Sequence, residues 1–258
     1  MDLKIKNQWF IVGGATSGFG KATALKLLDE GANVLAIARN AEALQELHNR
    51  FPQNTNILAG DLKMPETLVR LKDSFDLSVF SGAFINAGGP PAMRVMDTNL
   101  TDWDDAYNLI LRWKVAITQL LIPFFVENKY GKLVFVESVS VKQPVENLVL
   151  SNSLRMAVVG FVKTLSQETA GKNICMNIMA PGYHDTPAVQ RVFKKKAELS
   201  GISIEEAKAS LISHIPAGSM GNADDFASLA CWLLSPLSDY VTGQTITVDG
   251  GSVRGAFG

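Results

Sequence analysis

A chain of 258 residues, 47% hydrophobic and 19% charged, is long enough to bury one large α/β core, and no linker, repeat or low-complexity tract divides it. A formal net charge of -1 gives no electrostatic reason to expect nucleic acid or an anionic membrane as partner. No uninterrupted apolar run reaches the ~18 residues of a membrane span, and the opening residues lack the apolar core of a secretion signal. Cys175 and Cys231 lack metal-ligand spacing and read as reduced core residues, so a cytoplasmic protein without a metal site is expected.

In chain order, Gln8-Trp9-Phe10 starts a buried strand that runs through Ile11-Val12 into the glycine-rich turn Gly13-Gly14-Ala15-Thr16-Ser17-Gly18-Phe19-Gly20. Helical spacing follows over Lys21–Leu28, and Gly31 reads as its stop. Asn33–Ala38 is a continuous apolar run suited to a parallel strand covered on both faces. The pattern then predicts a helix over Glu42–Arg50, a strand at Thr55–Ala59, a helix around Glu66–Asp73 and a strand at Val79–Ile85. One long helical segment spans Thr101–Val126, Lys132–Val136 is a strand, Leu148–Gly171 a long helix and Ile174–Met179 a strand closed by Pro181-Gly182. Pro187–His214 is polar and helical, Asp224–Leu234 a helix and Thr245–Val248 a last strand. Strand and helix by turns, with short connections, predict an open parallel sheet with helices on both faces. Ligands of such sheets bind beyond the carboxyl ends of the strands.

A helix N-terminus carries unpaired N–H groups and the positive end of a dipole, so glycines that let the backbone approach closely make the turn a candidate phosphate cradle. The spacing Gly14, Gly18, Gly20 is wider than the general dinucleotide fingerprint.

With those glycines, Asp61-Leu62 after the third strand, Asn86-Ala87-Gly88 after the fourth, Gly131-Lys132-Leu133-Val134 leading to Ser138, Pro181-Gly182 with Thr186, and Val241-Thr242-Gly243-Gln244 with Val248-Asp249-Gly250-Gly251, the chain resembles the classical short-chain dehydrogenase/reductase family. It is similar to sequences labelled 3-oxoacyl-carrier-protein reductases. The resemblance implies one Rossmann-like, doubly wound domain over 1–258 with about seven parallel strands, a substrate lid at 187–214, and a homotetramer or homodimer. It also implies that Gly14, Thr16, Ser17, Gly18, Phe19 and Gly20 carry a pyrophosphate. Asp61 would meet the adenine amino group beside Leu62, and Asn86, Ala87 and Gly88 would border the adenine ribose. Pro181, Gly182, His184 and Thr186 would meet the carboxamide end.

Cofactor choice turns on the end of the second strand, where Ala38-Arg39-Asn40 offers a cation and no acid. A guanidinium suits a 2′-phosphate that a carboxylate would repel, so NADP(H) is expected over NAD(H), with adenine stacking by Arg39 the competing reading.

The catalytic positions depart from the family. Its proton donor is a tyrosine whose phenol, near pKa ~10, needs a neighbouring cation four residues on. Here Ser138 keeps the serine position, Ser151 stands in the tyrosine slot and Arg155 in the lysine slot. The helical asparagine slot falls on Ile110, two residues after Asn108. A serine hydroxyl is a far weaker and shorter acid than a phenol, while Arg155 keeps the charge, could still bind the cofactor's ribose hydroxyls and stays protonated. Lys142, in the loop after Ser138, is a candidate acid or carbonyl-polarising group; Tyr183 reads as lining, and Glu137 would be costly to bury unpaired. Lys194-Lys195-Lys196 reads as a solvated helix face, and Trp103, Tyr107 and Phe124-Phe125 as core or interface.

Two functions follow. One is an NADP(H)-dependent oxidoreductase acting on a small carbonyl or alcohol through the altered set Ser138, Lys142, Ser151 and Arg155. The alternative is a dinucleotide-binding protein with little or no turnover, a sensor or partner subunit.

Overall fold

The computed structural model describes residues 1–86 and 88–256, and at 188, 191, 195, 196 and 199 the backbone alone; Ala87 of the expected ribose border lies outside the described residues. Its centre is a seven-stranded parallel sheet: β1 (Trp9–Gly13), β2 (Asn33–Ala38), β3 (Thr55–Ala59), β4 (Phe80–Ile85), β5 (Gly131–Val136), β6 (Ile174–Pro181) and β7 (Thr245–Val248). The strand order is β3-β2-β1-β4-β5-β6-β7, so the direction of winding reverses between β1 and β4.

Period-two alternation sends each strand's side chains to two helical layers. Phe10, Val12, Val34, Ala36, Phe84, Val134 and Val136 share one core with α1 (Gly18–Asp29) and α9 (Ala223–Leu234). Ile11, Leu35, Ile37, Ala83, Ile85, Leu133 and Phe135 share the other with α3 (Pro65–Ser74), α5 (Trp113–Asn128) and α6 (Val149–Thr169). Burial on both faces explains why the strands read as continuous apolar runs. Helix α2 (Ala41–Arg50) buries Leu44 and Leu47 and is capped by Asn40, whose side chain accepts from the Ala43 N–H at 3.0 Å.

Two expected segments are subdivided. The stretch predicted as one helix over Thr101–Val126 is α4 (Leu100–Tyr107), a π-helical turn at Asn108–Arg112, and α5. An inserted π turn re-aims the side chains beyond it, a shift that apolar spacing does not report. Leu100–Asn128 is also long and apolar enough to cross a membrane by length and composition. It packs as a core helix on the sheet, burying Trp113, Lys114, Ile117, Leu121 and Phe125. The polar stretch over Pro187–His214 is two helices, α7 (Pro187–Ser200) and α8 (Ile204–Ile212). Gly201 ends α7 with a φ of 63°, in the left-handed region, and Ser203 starts α8 with a capping box, donating its N–H to Glu206 at 2.8 Å and accepting from the Glu206 N–H at 3.1 Å.

Candidate functional site

A cleft of about 630 Å³ lies along the carboxyl ends of β1 to β6, at the point where the winding reverses. Its floor is the turn between β1 and α1. Gly14 and Gly18 have φ of 68° and 50°, a backbone that L side chains rarely adopt. Gly20 has no room for a side chain, since a Cβ there would sit 2.6 Å from the Gly13 carbonyl oxygen. Ser17, the N-cap of α1, makes no side-chain bond to the first turn, so the hydroxyl that commonly satisfies those N–H groups leaves them to the cleft. Gly14, Thr16, Ser17, Gly18 and Phe19 all line it.

The expected nucleotide residues gather around this turn. Arg39 and Asn40 at the end of β2, and Asp61 and Leu62 after β3, line the cleft. Arg39 is exposed, with no acid beside it at the strand end. Asp61 accepts from the Lys63 N–H at 3.1 Å and lies 3.3 Å from the Lys63 ammonium, so a second cation flanks that end. Asn86 and Gly88 line the cleft, and Asn86 packs beneath Gly14, its Nδ2 3.2 Å from where a Cβ would be. Pro181 and Thr186 close the far side, with Thr186 methyl 3.7 Å from the corresponding point on Gly18. A glycine cradle at a helix N-terminus, an acid and a flanking cation, and space for an extended ligand fit a phosphorylated dinucleotide.

At the β6 end, His184 and Gly182 are held in place by their neighbours. The buried His184 ring is edge-on to Phe19 at 5.0 Å and to Phe226 at 5.6 Å, with Nδ1 3.2 Å from the Gly182 carbonyl oxygen. Burial pushes its pKa below the usual imidazole value, against the smaller opposing effects of that carbonyl, Asp225 and Asp249. The Gly182 N–H donates to Val248 at 3.0 Å, which ties the β6 end to β7.

At the opposite end of the cleft lies a buried polar cluster around Arg155. Helix α6 buries Ser151, Arg155, Val158 and Val162 on one face, which sets Ser151 and Arg155 one turn apart. Arg155 Nε donates to the Ser151 hydroxyl at 3.0 Å, and Nη1 donates to Glu137 Oε2 at 2.9 Å. Lys114 on α5 donates to Glu137 Oε1 and lies 3.5 Å from the Val136 carbonyl oxygen. Lys114, Glu137 and Arg155 are 1%, 4% and 7% exposed. Burial pulls the Lys114 pKa down, the Glu137 charge opposes this and the Arg155 charge adds to it. Glu137 and Arg155 line the cleft with Leu109, Trp113, Val136 and Gly89.

Ser138, at the end of β5, caps the turn Val139–Val141 by accepting from the Ser140 N–H at 3.2 Å. Neither Ser138, Lys142 nor Ser151 is among the residues forming the cleft wall, although all three lie on the segments that border it. Lys142 is half-buried at the end of that turn. Burial raises the Tyr183 phenol, which is half-buried outside the wall. Ile110, in the asparagine slot, is buried within the π turn. Of the basic run on α7, Lys194 is exposed beside Asp185 and Gln190, while the Lys195 and Lys196 side chains lie outside the description.

Sequence reasoning missed Lys114. The available signal was a lone lysine in the apolar helix Trp113-Lys114-Val115-Ala116-Ile117, four residues after the asparagine slot, together with Glu137 ending an apolar strand.

The family described as enoyl-(acyl carrier protein) reductase matches the chain over residues 14–253. The chain is 28% identical to the 3-oxoacyl-[acyl-carrier-protein] reductase FabG of Thermotoga maritima, over 97% of this chain and all of that protein. Among solved structures, it is similar to the L-sorbose reductase of Gluconobacter frateurii complexed with NADPH and L-sorbose, at 25% identity and TM-score 0.91, covering 99% of this chain and 100% of that one. It is also similar to a putative 2-deoxy-D-gluconate 3-dehydrogenase of Agrobacterium tumefaciens with bound NADP, at 28% identity and TM-score 0.84, covering 98% and 99%.

Proposed function

The chain belongs to the short-chain dehydrogenase/reductase family, and from that premise we propose that it is an NADP(H)-dependent oxidoreductase acting on a carbonyl or alcohol through an altered catalytic site. The carrying observation is the cleft itself, which runs from a free-acid-less Arg39 at one end to a buried, carboxylate-anchored Arg155 at the other. Two similar structures holding NADPH or NADP support the choice of dinucleotide.

In this reading Gly14, Thr16, Ser17, Gly18 and Phe19 hold the pyrophosphate through the α1 N-terminus, and Arg39 meets the 2′-phosphate. Asp61 accepts from the adenine amino group beside Leu62, and Asn86 and Gly88 border the ribose. Pro181, Gly182, the His184 backbone and Thr186 hold the carboxamide end. When bound, the dinucleotide supplies or accepts a hydride. Arg155 binds oxygen at the head of the cleft but keeps its proton, so its contribution is charge and orientation. The Ser151 hydroxyl accepts the Arg155 Nε–H, which ties it to orienting that guanidinium. Ser138 polarises the substrate oxygen, and Lys142 is the proton-carrying candidate on the same loop. Helices α7 and α8 form the lid. Exposed Met96, Leu100 and Met156 on the α4–α6 side support self-association as a homotetramer or homodimer.

A second reading, dinucleotide binding with little or no turnover, is favoured by the Ser151 position, where no phenol is present. Incubation with NADPH and a panel of small carbonyls separates the two. NADPH oxidation that falls at least tenfold in Ser138→Ala or Lys142→Ala supports the enzyme. Tight NADPH binding with no hydride transfer to any member of the panel selects the second reading.

A further inference from the structure

The buried cluster on the α5–α6 side of β5 has an arrangement that neither a simple ion pair nor the family pattern requires. Each carboxylate oxygen of Glu137 is committed to a different cation, Oε1 to Lys114 and Oε2 to Arg155 Nη1. Arg155 Nε is taken by Ser151. Among the described residues, Nη2 donates to none. It faces Gly89 in the cleft wall, 3.0 Å from where a Cβ on that glycine would stand. An arginine beside a carboxylate with both oxygens available ordinarily binds it through two parallel N–H bonds. Here Glu137 accepts from Nη1 alone, and its other oxygen accepts from Lys114.

We propose that Lys114 is a positioning residue: by occupying Glu137 Oε1 it keeps Glu137 on Nη1 alone, and so leaves the Nη2 edge of Arg155 aimed into the cleft for an oxygen of the bound ligand. Lys114 itself is outside the cleft wall and 1% exposed, so it acts through Glu137 and Arg155 and touches no ligand. The helix sets this up. Lys114 shares the buried face of α5 with Ile117, Thr118 and Leu121, and Thr118 closes on the Lys114 carbonyl at 2.7 Å, so the lysine reaches the β5 end from a fixed point. The Gly89 position completes it, because a side chain there would press on the guanidinium edge.

The proposal rests on the dinucleotide reading, and its test uses NADPH as the probe, with affinity followed by fluorescence and stability by thermal unfolding. Lys114→Met is isosteric along the buried stem and frees Oε1. It is expected to weaken NADPH binding about tenfold, the value of a hydrogen bond to a charged group. Arg155→Met should weaken binding to a similar degree, and the double variant no further than Arg155→Met alone. A crystal structure of Lys114→Met should place Glu137 on two nitrogens of Arg155. Unchanged NADPH affinity in a Lys114→Met protein whose melting temperature falls would overturn the proposal, reducing Lys114 to a structural role. So would a variant structure with Nη2 still open to the cleft. A wild-type protein that binds neither NADPH nor NADH would instead overturn the dinucleotide reading, and the positioning role with it.

Discussion

Strand β5 carries a fully buried lysine contact at each end, and the two are built differently. At its start, Lys132, 0% exposed, reaches Asp239 at 2.6 Å, and the Asp239 side chain is 48% exposed. At its far end, Glu137 lies between Lys114 and Arg155, and all three side chains are sealed to 9% exposure or less. Asp239 faces water, so its carboxylate stays solvated if Lys132 is lost. The second has two cations on one anion, with the excess charge facing the cleft. Burial of a lysine by itself therefore says little. What marks the cleft end is that the partners are all buried and that one nitrogen is left over.

Breaking each end should show the difference. Replacing Glu137 with Gln strands two buried cations at once. Loss of one member of a buried ion pair costs about 3–5 kcal/mol, to be read as a lower urea midpoint at unchanged slope. A midpoint close to wild type would mean that water reaches the cluster. An exposed cation in the same cleft makes a third case. Arg39→Asp should leave the urea midpoint alone but cut the preference for NADPH over NADH on the order of 10–100-fold, equivalent to about 1.4–2.7 kcal/mol. Equal affinities in wild type and variant would remove Arg39 from cofactor choice. The smaller effect is expected at the start of β5. Lys132→Met keeps the buried stem and lets Asp239 turn to water, so its cost should be about 1 kcal/mol or less, with NADPH affinity unchanged.

The parallel sheet and the glycine turn on the cleft floor were legible because they rest on local rules. Asn33–Ala38 reads as a strand from its own composition, and Gly14, Gly18 and Gly20 are needed by the turn's own backbone. That Ser151 and Arg155 share a face of one helix was legible from their i, i+4 spacing. The partners of Arg155 were not. Lys114 and Glu137 are 23 residues apart on a helix and a strand, and nothing local in either reports that they meet. The setting of the His184 ring was hidden for a related reason: Phe19 and Phe226, which pack against it, are far from it in sequence.

His184 also supplies the smallest expected effect and a buried titratable group with no ion-pair partner among the described residues. Its folded pKa lies below the unfolded 6.5 because burial disfavours the imidazolium, and the Gly182 carbonyl, Asp225 and Asp249 only partly offset this. Well above that value the ring is neutral in both states and the native protein has its full stability. As pH falls through the unfolded value, the unfolded chain takes up the proton first, so stability declines until the folded value is also passed. Between roughly pH 7 and roughly pH 5 the wild type should lose a fraction of 1 kcal/mol that a His184→Gln variant keeps. Urea unfolding of both proteins at the two pH values checks this. Parallel losses would place the acid sensitivity in other groups and would mean that the Phe19 and Phe226 rings accommodate a charged imidazole.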